Sequence, residues 1–257
     1  VADLDLEAAL RRRLDGGGRA FVPYVTGGLP STTGEVLRGL EAAGADAIEV
    51  GIPFSDPVMD GPVIQEASRR ALGAGATPER VLELVGEAEM GVPVVAMTYL
   101  NPVLALGFDG FLERAVRAGV GGVIVPDLPV DEADQWRGAC ANHGVASVFL
   151  AAPGTDARRL KLVAEASRGF VYCVSTYGVT GEREDLAGSA REVVEGLRPV
   201  TDRPLLVGVG VGSPEQARAA CRFADGVVVG TALVRRLLED GEQGMMALAS
   251  DFRAAIA

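Results

Sequence analysis

A glutamate set inside an apolar strand, with aspartates at positions 56 and 60 on the loop that follows it, is an arrangement suited to acid–base chemistry. The stretch Ala47–Ile64 reads AIEVGIPFSDPVMDGPVI. Glu49 lies between Ile48 and Val50, and Pro53, Pro57 and Pro62 stiffen the loop that carries Asp56 and Asp60. An ionised carboxylate among such neighbours is costly unless it is paired, protonated or used. No arginine occurs in the flanking strand-like runs to neutralise it. Burial is therefore expected to raise the pKa of Glu49, leaving a carboxyl group able to donate and accept a proton near neutrality. The two aspartates are not separable on residue type alone. Asp56, in FSDP, suits an Asx-type turn before proline, whereas Asp60, in MDGP, suits the cap of the helix that begins near Pro62.

A second group of residues could hold an anion. VGVGVGSPEQA (207–217) and VVVGTALV (227–234) each place glycine beside a helix start, with Ser213-Pro214 as N-cap and first helical residue and Thr231 opening a second helix. Free N–H groups at such starts bind phosphate without lysine or arginine. Gly178 and Gly181, in YGVTGERED, could approach the same ligand. GVGVGS is not a dinucleotide fingerprint, because it lies late in the chain and lacks the acidic residue expected about 20 positions on.

The elements that must position these groups repeat along the chain. Strand-like runs occur at 20–26, 47–53, 93–99, 122–127, 147–153, 170–175, 204–210 and 226–230. Amphipathic helical patterns fall between them, at Gly34–Ala43, Val63–Leu72, Gly110–Ala118, Asp131–His143 and Ala157–Ser167. Apolar strands repeatedly followed by helices indicate parallel βαβ units, and eight of them in 257 residues predict one α/β domain over 1–257, a (β/α)8 TIM barrel. An extra helix at Leu4–Leu14 is placed to plug the barrel's bottom, and another, Pro78–Glu89, follows the second barrel helix. Chemistry in this fold lies at strand C-termini. The polar residues there are Glu49, Asp60, Tyr99, Asn101, Asp127, Tyr172, Ser175, Thr180 and Thr231. Tyr172 could orient Glu49 or a substrate hydroxyl, or serve as a core aromatic.

Composition narrows the class further. With 24 Lys and Arg against 35 Asp and Glu, the net charge of −11 disfavours nucleic-acid or anionic-membrane surfaces. There is no apolar run of about 18 residues and no signal-peptide core, so a cytoplasmic enzyme is expected. Cys140, Cys173 and Cys221 follow no metal or redox spacing, and the only histidine, His143, reads as a cation at a helix C-terminus.

Together these residues resemble the tryptophan synthase alpha-subunit family. The matching stretches are GRAFVPYVTGGLPS (18–31), IEVGIPFSDPVMDGPVIQEA (48–67), MTYLNPV (97–103), GVIVPDLPVDE (122–132), FVYCVSTYGVTG (170–181), GVGVGSPEQA (208–217) and ADGVVVGTALV (224–234). The resemblance implies retro-aldol cleavage of indole-3-glycerol phosphate to indole and glyceraldehyde 3-phosphate. It puts the catalytic pair on Glu49 and Asp60, with Tyr172 as the active-site tyrosine and Thr180 supporting Asp60. It further implies an indole pocket of Tyr24, Met97, Ile124, Val209 and Val228, and phosphate contacts at Gly181, Gly210, Gly230 and Thr231. No metal or organic cofactor is implied for this chain. Pyridoxal phosphate belongs to a beta partner, which would meet the surface near Asp56 and Asn101–Pro102 in an α2β2 assembly. The sequence departs from common family versions at Thr176–Tyr177, at Val209 and in GGLPS, none of which removes a proton-transfer group. A free-standing indole-3-glycerol phosphate lyase, or a non-catalytic phosphate-binding subunit, would share much of this pattern.

Overall fold

The computed structural model describes residues 5–29, 34–175, 186–208 and 210–257. The strands fall inside or beside the expected runs: β1 (Ala20–Thr26), β2 (Ile48–Gly51), β3 (Val94–Met97), β4 (Val120–Ile124), β5 (Ala146–Val148), β6 (Leu150–Ala151), β7 (Val171–Val174), β8 (Leu205–Gly208) and β9 (Gly226–Val229). All pair in parallel, in the order β5-β4-β3-β2-β1-β9-β8-β7-β6. The two ends of that order are halves of one extended stretch, so the sheet closes on itself as a barrel. Nine strands replace the expected eight because the fifth changes partner at Phe149. The Phe149 N–H donates to the Ser167 hydroxyl, 3.3 Å away, while its carbonyl accepts from Tyr172 N–H at 3.0 Å. The first half pairs with β4 and the second with β7.

Helices cover the outside: α1 (Leu6–Asp15), α2 (Gly34–Ala42), α3 (Pro62–Gly73), α4 (Pro78–Ala88), α5 (Leu100–Leu106), α6 (Phe108–Arg117), α7 (Asp134–His143), α8 (Ala157–Ala166), α9 (Leu186–Leu197), α10 (Pro214–Ala220) and α11 (Thr231–Ala255). Two differ from the sequence expectation, and a third is bent. The helix expected over Asp131–His143 is split, with a 3-10 turn at Val130–Glu132 and Ala133 preceding α7. The short α5 occupies a segment read as a strand exit. α11 bends at Gly241, whose φ of 73° and ψ of −167° interrupt the helix.

Alternation along the strands sorts side chains into two apolar layers. Phe21, Val25, Ile48, Val50, Val94 and Ala96 pack outward in the layer under the helices. Val22, Val95, Ile124, Tyr172, Leu206 and Val228 fill the interior. Leu6 and Leu10 of α1 join that interior cluster, and a Cβ added at Gly122 would meet Leu6 Cδ2 at 2.7 Å. Leu6 and Leu10 thus set the N-terminal helix against one end of the barrel interior.

Polar groups at that end serve the scaffold. Asp46 accepts from Phe21 N–H at 2.8 Å and from Arg253 at 3.0 Å, and Asp225 accepts from Leu205 N–H at 2.8 Å and pairs with Arg198. None of the described helices is long and apolar enough to cross a membrane.

Candidate active site

Register decides what surrounds Glu49. It sits opposite Tyr24 of β1 and Val95 of β3, so its side chain shares the barrel interior with theirs. At 1 % exposure it is the one fully buried Asp, Glu, Lys or Arg among the described residues. Its Oε2 has no hydrogen-bond partner among them. Burial, reinforced by the nearby Asp60 charge, pushes its pKa up to about 8. The carboxyl group therefore carries a proton at neutral pH.

Asp60 and Asp56 separate clearly. Asp56 is exposed, and its carboxylate accepts from the neighbouring Ser55 hydroxyl at 2.5 Å. Asp60 is half-buried and electrostatically coupled to Glu49. Its backbone is fixed by N–H donation to Pro57 O at 3.0 Å and by acceptance from Gln65 Nε2 at 2.9 Å. Neither bland reading of these residues survives. The carboxylate of Asp56 bonds to Ser55 rather than closing an Asx turn, and α3 is capped by Gly61 with no side-chain bond. Burial raises the Asp60 pKa, and the Tyr99 hydroxyl opposes that rise.

The Tyr99 contact is what residue-by-residue reading missed. Its hydroxyl donates to Asp60 Oδ2 at 3.0 Å across 39 residues and accepts from Met59 N–H at 3.0 Å. Tyr99 belonged to the polar residues expected at the mouth, but no role followed from its position. The available signal was strand order, because β3 lies beside β2 and their following loops must be neighbours.

Four of the five residues expected around an indole ring lie in two adjoining apolar clusters, the fifth, Val209, being outside the described residues. Ile124, Tyr172 and Val228 share one interior cluster, with Met97 packed against it. Tyr24 lies in an adjoining cluster with Ile64 that also touches Met97. Burial pushes the hydroxyl pKa of Tyr24 and Tyr172 upward, helped by the carboxylates, so both remain protonated. No hydrogen bond joins Tyr172 to Glu49 among the described residues, so the orienting bond considered from sequence is not made. Both rings lie over glycine. A Cβ on Gly208 would come within 2.5 Å of Tyr172 Cε1, and one on Gly51 within 2.6 Å of Tyr24 Cζ. Gly51→Ala is accordingly expected to displace the Tyr24 ring within the barrel interior and, if that ring lines the substrate site, to raise KM about tenfold with smaller loss of kcat. Steady-state kinetics checks it, and an unchanged KM would contradict the packing argument.

Around the mouth, Gly210 is exposed in the loop after β8 with φ 93°, and Gly230 and Thr231 form the cap and first residue of α11. The first-turn N–H groups of α11 have no intrahelical acceptor and face the helix's positive end. Ser213 accepts from Gln216 N–H at 3.3 Å, the cap expected before Pro214. Thr180, Gly181 and Val209 lie outside the described residues, as do Thr176, Tyr177 and Gly178. His143 ends α7, 2.9 Å from Asp109, and all three cysteines are buried and free.

A parallel barrel with a buried glutamate of raised pKa in its interior and glycine-led helix starts at the rim fits a class: (β/α)8 enzymes that work by acid–base chemistry. Comparison with known proteins makes the class specific. The sequence profile of "Tryptophan synthase alpha chain" matches residues 10–254. The alpha chain of Carboxydothermus hydrogenoformans is 45 % identical over 90 % of this chain and 87 % of its own. That of Methanosarcina barkeri is 43 % identical over 96 % and 94 %. Among solved structures, tryptophan synthase of Mycobacterium tuberculosis superposes with a TM-score of 0.90 at 40 % identity, covering 98 % of this chain and 97 % of that one. Subunit alpha from Legionella pneumophila gives 0.89 at 34 % identity, over 98 % and 97 %. The chain belongs to the tryptophan synthase alpha chain family.

Proposed function

We propose that Glu49 and Asp60 carry the reaction of this alpha chain, the lyase step of tryptophan biosynthesis that splits indole-3-glycerol phosphate into indole and glyceraldehyde 3-phosphate. The observation behind the assignment is the fully buried Glu49 carboxyl group, unpartnered at Oε2 inside the barrel and close to a half-buried aspartate, surroundings that favour its protonated form. The carbon–carbon bond can break only after C3 of the indole ring is protonated. Glu49 delivers that proton, and positive charge appears at the ring nitrogen. Asp60, as a carboxylate, accepts a hydrogen bond from the ring N–H and stabilises the cation. Glu49, now ionised, removes the proton from the hydroxyl on the carbon attached to C3. The O–H electrons become the aldehyde C=O, and the C–C electrons return to the ring. Indole leaves, and Glu49 again carries its proton.

Tyr24, Met97, Ile124 and Val228 form the apolar wall for the ring, with Tyr172 beside the glycerol chain. Thr180 and Val209 are assigned to the same pocket by family resemblance. Gly210, Gly230 and Thr231, with Gly181 by resemblance, hold the phosphate through backbone N–H groups. This chemistry needs no cofactor in this chain; pyridoxal phosphate is assigned to the beta partner, in an α2β2 assembly and a cytoplasmic setting. The partner surface is assigned to the lip around Asp56 and Asn101–Pro102. Val58 and Met59 on the β2 loop are 80 % and 43 % exposed, and Leu104 on α5 is 54 % exposed, large apolar side chains left facing solvent.

Turnover of indole-3-glycerol phosphate by the purified chain, with and without a beta subunit, tests the reading. Asp60→Asn is expected to lower kcat about 100-fold while the fold, followed by circular dichroism, is retained. An Asp60→Asn variant as fast as the parent would remove Asp60 from the mechanism.

A further inference from the structure

Resting on the assignment of Asp60 to the ring cation, we infer that Tyr99 is a positioning residue whose hydroxyl aims the Asp60 carboxylate and keeps it ionised. Among the described residues the Tyr99 hydroxyl is the one hydrogen-bond donor to the Asp60 side chain. Without it, a half-buried carboxylate is pushed toward its neutral form, and a neutral acid cannot balance the cation.

The geometry gives the hydroxyl a direction. Met59 N–H donates to the phenol oxygen at 3.0 Å, so the phenol's own proton is left for Asp60 Oδ2, also at 3.0 Å. The ring is held by Phe54, with centroids 5.3 Å apart and planes tilted by 32°. Its backbone is held as well: Tyr99 caps α5, and the Leu100 N–H donates to Asp127 Oδ1 at 2.9 Å. Three anchors thus fix one hydroxyl: Met59 and Phe54 from the β2 loop and Asp127 from the β4 loop. Glu49, Tyr24 and Tyr172 couple electrostatically to Asp60 from β2, β1 and β7, and Asp127 couples to Tyr99. Burial and the Asp60 charge hold the Tyr99 phenol in its protonated form throughout the working range, so it remains a donor.

Tyr99→Phe deletes the hydroxyl and keeps the ring on Phe54. Losing a donor to a carboxylate raises the pKa of that carboxylate. The acid limb of the kcat profile should therefore move up by about one pH unit, with kcat near neutrality about tenfold lower and KM within about twofold. 3-Fluorotyrosine installed at position 99 donates more strongly and should move the same limb down. This second protein keeps the ring and the bond, so it reports even where the phenylalanine variant folds poorly. An unmoved acid limb in both proteins overturns the inference, whatever happens to the rate, because a purely structural tyrosine would slow turnover without shifting it. Asp60→Asn separates the two levels. If that variant is slow while the Tyr99 proteins keep the parent profile, only the role of Tyr99 is wrong. If Asp60→Asn is as fast as the parent, the assignment of Asp60 itself falls.

Discussion

Glu49→Gln is expected to lower kcat for indole-3-glycerol phosphate cleavage by about 1,000-fold or more, since the proposed mechanism gives both proton transfers to this one group. In the parent, activity should fall above about pH 8, where Glu49 loses the proton that it must deliver. The substitution also changes how stability depends on pH. The folded pKa of about 8 lies above the ordinary carboxyl value of 4.5, so between those values the folded chain binds a proton that the unfolded chain releases. This contribution is fully present below about pH 4.5 and is lost as pH rises toward 8. The decline is on the order of 4 kcal/mol. Glutamine cannot ionise, and the variant should lack this slope even if its amide, beside an unpartnered position, lowers stability by a constant amount. Urea unfolding of both proteins at pH 5 and pH 8 reads the difference. Parallel pH dependences would show that Glu49 is not the buried acid described here.

Gly226→Ala should be the most damaging small substitution in the barrel. A Cβ at that position would stand 2.6 Å from Ala20 Cβ and 2.8 Å from the Ala20 carbonyl carbon, and closer still to its oxygen. These atoms belong to β1, which pairs with β9 at Ala20↔Gly226. No rotamer relieves contact with backbone, so the two strands must part where Asp225 O also accepts from Ala20 N–H at 2.9 Å. The expected loss is about 4 kcal/mol, or roughly 10 °C in Tm. Gly138→Ala is the control. It lies exposed inside α7 with nothing within 4 Å of its added Cβ, and should be neutral or stabilising by up to about 1 kcal/mol. Equal Tm values for the two variants would contradict the contact between β1 and β9. The consequence reaches the proposed phosphate site, because β9 leads into Gly230 and Thr231 at its other end.

Most of the scaffold was legible in the chain. Apolar runs of strand length between amphipathic patterns located every barrel strand, and the Ser213-Pro214 and Thr231 signals marked helix starts that the structure retains. The break at Phe149 was not legible, because the switch of partner depends on the Ser167 hydroxyl, which lies on another element. α5 was hidden for a related reason. Its N-terminus is completed by Asp127, contributed by the loop after the next strand.

For the site, the sequence by itself determined that Glu49 would be buried. It lies in a short apolar strand with no cation in the flanking runs, and a parallel barrel shields both faces of its strands. The same local information left Asp56 and Asp60 alike, since each is an aspartate within two residues of a proline on one loop. Tertiary structure separated them by turning Asp56 to solvent and holding Asp60 on Tyr99, 39 residues away. Backbone periodicity is a local property and is written continuously along the chain. Which two loops meet above the barrel is decided only when parallel strands take their neighbours, and that contact gives Asp60 its donor.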